Sequence, residues 1–265
     1  MNSKDILEDN KSQAKTLALQ AVSKGADLIC FPENVLLMSS SKENLFALSH
    51  KERDNPNLDF FVDLARKNRK WILVGSLSVK IYNEKLANRS YLIDFNGEIV
   101  GHYDKIHLFD VDLPNGVSYR ESDSYISGQK AVIIKTSLAN FGLTICYDLR
   151  FPNLYRDIAL KRANVIFVPS AFTKTTGQIH WHALLRARAI ETGCYIIAPA
   201  QTGEHPKGRE TFGHSLIIGP DGTIIQDAGE LPGVITATLD LDKVIKSQSL
   251  IPSLFLNPRY SVEIH

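Results

Sequence analysis

Three polar side chains stand where apolar runs break off. Cys146 ends Phe141-Gly142-Leu143-Thr144-Ile145 and precedes Tyr147-Asp148-Leu149-Arg150-Phe151-Pro152. A strand that turns sharply into a helix presents a nucleophile at its tip and sets backbone N–H groups beside it to receive an oxyanion. The thiolate is the reactive form of cysteine, so such a residue needs a base or a favourable local field. Glu33 follows Leu28-Ile29-Cys30-Phe31-Pro32. A carboxylate directly after a buried strand lies at the sheet's edge, where partial desolvation raises its proton affinity. Lys105 sits in Tyr103-Asp104-Lys105-Ile106-His107-Leu108-Phe109, a cation among large apolar groups. Taken singly, each has a plainer explanation. A free cysteine is most often a small core residue, a lone glutamate a solvated loop acid, and a lysine a surface charge on a snorkelling stem. Core packing is the reading for Cys30, mid-strand, and for Cys194, at a helix-to-strand junction.

The elements that must hold these groups follow from periodicity. Ala14, Leu17, Ala18, Ala21 and Val22 share one face at helical spacing, and Gly25 supplies the stop. The continuous apolar run Leu28–Phe31 then reads as a buried strand. The alternation recurs: Phe60, Phe61, Leu64 and Ala65 on a helix before the strand Trp71–Val74, a helix ending near Ala159 before Val165–Val168, and Ala183–Ile190 before Tyr195–Ala198. Asn96-Gly97 and Gly219-Pro220-Asp221-Gly222 each join two apolar runs as hairpin turns. Strands linked by both helices and hairpins imply a mixed sheet, and so many buried strands imply two packed sheets with helices outside. No repeat or long linker interrupts the chain, so a single domain over 1–265 is expected.

Composition narrows the partners. Lys plus Arg number 30 against 29 for Asp plus Glu, which gives no reason to expect nucleic acid or an anionic membrane. No apolar run approaches the roughly 20 residues that span a bilayer. Cys30, Cys146 and Cys194 form no Cys-x-x-Cys pattern and cannot all pair, so free thiols, no metal and a cytoplasmic setting are expected. The segment Met1–Asp5 lacks the pattern of a signal peptide.

Taken together, Phe31-Pro32-Glu33, Asp104–Phe109 and Ile145–Pro152 resemble the nitrilase superfamily of carbon–nitrogen hydrolases over about Met1 to Ile251. The resemblance implies an α/β fold, a four-layer α-β-β-α sandwich. It also implies a catalytic triad of Glu33, Lys105 and Cys146, with Glu121 in Tyr119-Arg120-Glu121-Ser122 as a fourth site carboxylate. Cysteine attack on an amide would then use Glu33 as general base, with Lys105 and the Tyr147 N–H stabilising the oxyanion and no cofactor required. A homodimer or larger assembly is implied as well.

The segments Pro169–Gly177, His180–Glu191, Ala200–Gly203 and Gly213–Ser215 are most similar to the branch that cleaves deaminated glutathione to 2-oxoglutarate and cysteinylglycine. The omega-amidase branch, acting on 2-oxoglutaramate, is the nearest alternative. An anionic substrate calls for a cation. Arg150 is placed near the nucleophile for that, although a structural pairing with Asp148 is the preferred reading of it. Phe172 and Thr173 are candidate wall residues. His182 and Asn153 depart from the glutamates relatives carry there. Met1-Asn2-Ser3 aligns with the end of the family's first strand, so that strand is expected to be truncated, whether translation starts upstream or the sheet is smaller.

Two other readings stay open: a papain-like Cys–His pair using His107, His180 or His182, and a catalytically idle binding module that keeps the fold.

Overall fold

The computed structural model describes every residue except Ser40, Asn83, Glu84, Leu113, Pro114, Asn115, Val117, Asn257 and Arg259. The first sheet holds β1 (Leu28–Cys30), β2 (Trp71–Lys80), β3 (Leu86–Ile93) and β4 (Ile99–Asp104), in that order. A ribbon of β5 (Asp110–Asp112) and β6 (Ser118–Arg120) leads out of it. The second sheet has six strands, β7 (Val132–Lys135), β8 (Asn140–Leu143), β9 (Val165–Phe167), β10 (Tyr195–Ala198), β13 (Leu216–Ile218) and β14 (Ile224–Asp227). Between β10 and β13 lies a second ribbon, β11 (Thr202–Glu204) with β12 (Glu210–Phe212).

Helices α1 (Leu7–Ser23) and α3 (Pro56–Asn68) cover the first sheet, with the short α2 (Lys42–Leu48) between them. On the second sheet lie α4 (Pro152–Leu160) and α5 (Lys174–Thr192), and α6 (Asp242–Leu250) follows near the C-terminus. The order is therefore helix, sheet, sheet, helix, as the motif resemblance implies.

The period of two along β2 and β3 explains the layering. Ile72, Val74, Tyr91 and Ile93 share a buried cluster with Ala14, Ala18, Phe61 and Leu64 of the helices. Their neighbours Trp71, Leu73 and Leu92 share another with Phe141, Leu143 and Phe167 of the second sheet. Strands buried on both faces read as continuous apolar runs rather than alternating ones, which is why the sequence marks them so clearly.

β1 stands at the edge of its sheet, and Met1–Ser3 form no strand. Beyond that edge lies a cavity of about 600 Å³, bordered by Met1, Leu28, Cys30, Phe141 and the stretch 233–239.

One distortion matters for function. The register of β2 against β3 shifts between Val74 and Leu77, and this bulge brings β2 under the chain leaving β1. Ser76 then holds the next turn, its Oγ accepting from Asn34 N–H at 2.9 Å and its carbonyl from Val35 N–H at 3.3 Å. Gly75 fits there because it has no side chain: a Cβ would lie 2.0 Å from the Phe31 carbonyl oxygen and 2.2 Å from that of Pro32. These are backbone atoms, with no flexible side chain to give way. Gly75→Ala is therefore expected to cost more than about 3 kcal/mol, as severe overpacking does. Urea denaturation measures it, and an unchanged midpoint would refute this account of the bulge.

Candidate active site

Each candidate residue sits just past a strand end. Glu33 follows β1 and Lys105 follows β4, with Lys105 N–H donating to the Asn88 carbonyl at 3.0 Å. Glu121 opens a 3-10 turn after β6. Cys146 opens another between β8 and α4, where its N–H donates to the Pro169 carbonyl at 3.0 Å. The backbone of Cys146 has φ of 48°, in the left-handed region that non-glycine residues rarely occupy. Strain of this kind persists only where surrounding contacts hold it. The Tyr147 N–H next to it has no backbone acceptor among the described residues, as expected in the first turn of a helix.

These residues meet. The Lys105 ammonium is 3.0 Å from Glu33 Oε1 and 2.8 Å from Glu121 Oε2. Asn88 on β3 bridges the same two carboxylates, its Nδ2 donating to Glu33 Oε1 at 2.9 Å and to Glu121 Oε1 at 3.1 Å. The remaining oxygen of Glu33 accepts from Ala171 N–H at 2.8 Å, and Glu121 Oε2 also accepts from Phe109 N–H at 2.7 Å. Glu33 and Lys105 are 3% and 2% exposed, so this is an ion cluster removed from water.

The electrostatics follow from that burial. Desolvation alone would raise the Glu33 carboxyl, but the Lys105 charge and hydrogen bonds from Lys105, Cys146 and Ala171 hold it below its ordinary 4.5. Desolvation would lower Lys105, but the Glu121 and Glu33 charges hold it well above its ordinary 10.5. Burial pushes the Cys146 thiol up, and the Glu33 charge adds to the rise. At rest the site therefore holds a thiol, a carboxylate and an ammonium. Burial also pushes the Cys194 thiol up to about 12, in keeping with its role in the core.

The cluster opens on a cavity of about 710 Å³ bordered by Phe172 and Thr173, the expected wall residues, and by Tyr147, whose N–H was expected at the oxyanion. Arg150 is a correction on both counts. It does not border that cavity, nor does it pair with Asp148: its guanidinium lies 3.3 Å from His180 Nδ1 and over the Tyr147 and Phe172 rings. The cavity's own cations, which sequence reasoning missed, are Lys42, Arg120, Lys207 and Arg209. Arg209 donates to the Ala171 carbonyl at 3.1 Å, while its Nε is buried with no partner among the described residues. Asn88 was missed too, though a polar residue inside the apolar run of β3 is a signal that could have found it.

What replaces Arg150 at Asp148 is a set of donors from either side of Lys105 and from the residue before Cys146. Asp148 is fully buried and accepts from Tyr103 Oη at 2.7 Å, His107 N–H at 3.0 Å and Ile145 N–H at 2.8 Å. The His107 ring Nδ1 also lies 2.7 Å away, and that ring stacks on Phe151 with centroids 3.5 Å apart. His107 and His180 are thereby engaged away from Cys146.

A sequence profile described as carbon–nitrogen hydrolase matches residues 1–248. The chain is 42% identical over 258 residues to a deaminated glutathione amidase from Synechocystis sp., covering 96% of this chain and 94% of that protein. It is 39% identical to another so named from Dictyostelium discoideum, covering 92% and 87%. Among solved structures, the C. elegans NitFhit protein superposes with a TM-score of 0.91 at 33% identity, covering 97% of this chain and 63% of that one.

The Asp148 interactions generate a test. Asp148→Asn keeps the shape but turns an N–H₂ group toward buried donors, which is expected to cost about 3 kcal/mol. Chemical denaturation reads the loss, and a stability equal to the parent's would remove Asp148 as the anchor of the turn that carries Cys146.

Proposed function

The chain belongs to the carbon–nitrogen hydrolase family and is an amidase, and from that premise we propose that Cys146 is its nucleophile, Glu33 its general base and Lys105, with Glu121 behind it, its oxyanion stabiliser. The observation that carries this reading is the convergence of Glu33, Lys105 and the Cys146 thiol in one buried cluster at the floor of the cavity.

The chemistry follows from the resting charges. Because the thiol holds its proton and Glu33 is ionised, proton transfer must accompany attack: the sulfur bonds to the amide carbon as Glu33 takes its proton. Negative charge appears on the carbonyl oxygen, where the Lys105 ammonium and the Tyr147 N–H receive it. Collapse breaks the C–N bond, and Glu33 protonates the departing amine. A water then attacks the thioester, giving its proton to Glu33, which returns it to sulfur as the C–S bond breaks.

The substrate reading is deaminated glutathione, cleaved to 2-oxoglutarate and cysteinylglycine. Support comes from the relatives of that name and from the cavity, whose described walls away from the cluster carry Lys42, Arg120, Lys207 and Arg209 against Asp123. Such walls suit a substrate with more than one carboxylate. Arg209, with a donor to spare, is its cationic partner in place of Arg150. A homodimer or larger assembly belongs to the same proposal: Ile179 and Ile190 on α5 and Ile245 and Leu250 on α6 are exposed apolar side chains of the kind a second copy covers. Three free cysteines fit a reducing, cytoplasmic setting.

The pH profile separates this mechanism from a cysteine–histidine one. Glu33, held low, stays ionised as pH falls toward its ordinary 4.5, and Lys105, held high, stays charged as pH rises. From about pH 5 to about pH 8, kcat/KM should be flat. A histidine base would impose a step near about 6.5. Glu33→Gln should abolish turnover, and Cys146→Ala should also abolish the acyl adduct seen by mass spectrometry. A step near neutrality, or an active Glu33→Gln, would reject the assignment.

A second measurement addresses the substrate. Deaminated glutathione should be preferred over 2-oxoglutaramate by kcat/KM, and Arg209→Gln should raise KM about tenfold, the scale of a charged hydrogen bond. A preference for the smaller amide would overturn this choice.

A further inference from the structure

Away from the cavity floor, three side chains distant in sequence converge. They are His182 on α5, His214 after β12 and Asp227 at the end of β14. His182 Nε2 lies 3.0 Å from Asp227 Oδ2, and His214 Nδ1 lies 2.9 Å and 3.1 Å from the two carboxylate oxygens. One donor atom from each falls within 4.8 Å of the other two, and no other group of three such residues does so among the described residues.

A carboxylate that merely accepts from two imidazoles would explain the distances. Several further features exceed what that requires. The two rings present different nitrogens, Nε2 and Nδ1, to one point. Oδ1 of the carboxylate also accepts from Gly229 N–H at 2.9 Å, the kind of outer-shell hydrogen bond that ligating carboxylates have. His214 is fixed at φ of 52°, a conformation costly for histidine, directly after Gly213 at 78°. Its N–H donates to the Gly229 carbonyl at 2.7 Å, and its own carbonyl accepts from Trp181 Nε1 at 2.8 Å. Phe212 stacks on the His214 ring at 4.5 Å and stands edge-on to His182 at 5.9 Å, closing one side.

We propose that His182, His214 and Asp227 form a divalent transition-metal site, with Zn²⁺ the best match. Two imidazoles and one carboxylate are a ligand set that suits zinc, which leaves the fourth tetrahedral position to solvent. Bonds of about 2.0–2.2 Å put tetrahedral ligands roughly 3.3–3.6 Å apart. The observed nitrogen–oxygen distances need widen only a few tenths of an ångström. The metal would tie α5 to the β12–β14 segment and fix Phe212, whose N–H donates at 2.9 Å to the carbonyl of Phe172, a wall of the substrate cavity.

Titration calorimetry of the intact protein with Zn²⁺, and the visible spectrum of the Co²⁺ form, test this. One equivalent of Zn²⁺ should bind. Co²⁺ should give d–d bands without sulfur charge-transfer absorption, since no thiolate is among the ligands. Asp227→Asn keeps the local shape, and His214→Asn tolerates the left-handed backbone. Each should weaken binding more than about tenfold, since loss of even an outer-shell partner costs that much, while metal-free melting stays near the parent's. No binding, binding that survives both substitutions, or a charge-transfer band that disappears in Cys146→Ala would overturn the site.

Discussion

The Lys105 ammonium, buried between two carboxylates, is the interaction around which the site is built. A charge taken out of water is tolerable only when it is paired and its remaining donors and acceptors are met. Here the pairing draws on four separate stretches of chain: Glu33 after β1, Asn88 on β3, Lys105 after β4 and Glu121 after β6. A fifth comes from the opposite sheet, since Glu33 accepts from Ala171 N–H after β9. The cluster therefore staples the two sheets together at the end where the cavity opens. Asn88 shows the cost of this: both donations go to carboxylates, and its own Oδ1 is left buried without a partner among the described residues.

A second buried carboxylate does the complementary work. Asp148 gathers Tyr103, His107 and Ile145, so the turn that carries Cys146 and the loop that carries Lys105 are fixed to one group. That common anchor is what sustains the left-handed backbone of Cys146. The bulge at Gly75 does the same for Glu33 by letting β2 pass within contact of the chain at Phe31 and Pro32. Three side chains separated by some forty to seventy positions thus share one geometry, although no two lie on the same strand.

The strands and the hairpin at Asn96-Gly97 were legible because each leaves a local mark, an apolar run or a turn dipeptide, whereas Glu33, Lys105 and Cys146 stood out only together, through three motifs that resemble those of one family. What was hidden depends on tertiary contact. β2 reads as a strand over Trp71–Val74 but runs on to Lys80, because the bulge at Gly75 breaks its apolar pattern without breaking its pairing. Arg150 was expected to pair with Asp148, yet Tyr103, His107 and Ile145 fill that carboxylate instead. Arg209 lies in a polar ribbon that nothing in the sequence ties to the cavity. His182, His214 and Asp227 belong to three elements, so no ligand spacing announces them.

The resting charges also bear on how the proposed mechanism turns over. Glu33, Glu121 and Lys105 sum to one negative charge, with the thiol neutral. Moving the proton from sulfur to Glu33 leaves that sum unchanged, and so does passing it on to a leaving amine. A buried cluster with few mobile dipoles penalises changes in net charge far more than internal transfers. A depressed carboxyl beside a raised thiol looks poorly matched for general-base work when each is considered alone. Once the electrons leaving sulfur come to rest on an oxygen beside Lys105, the thiolate need never be populated. The same ammonium that holds Glu33 ionised at rest is then the group that makes its protonation affordable during attack.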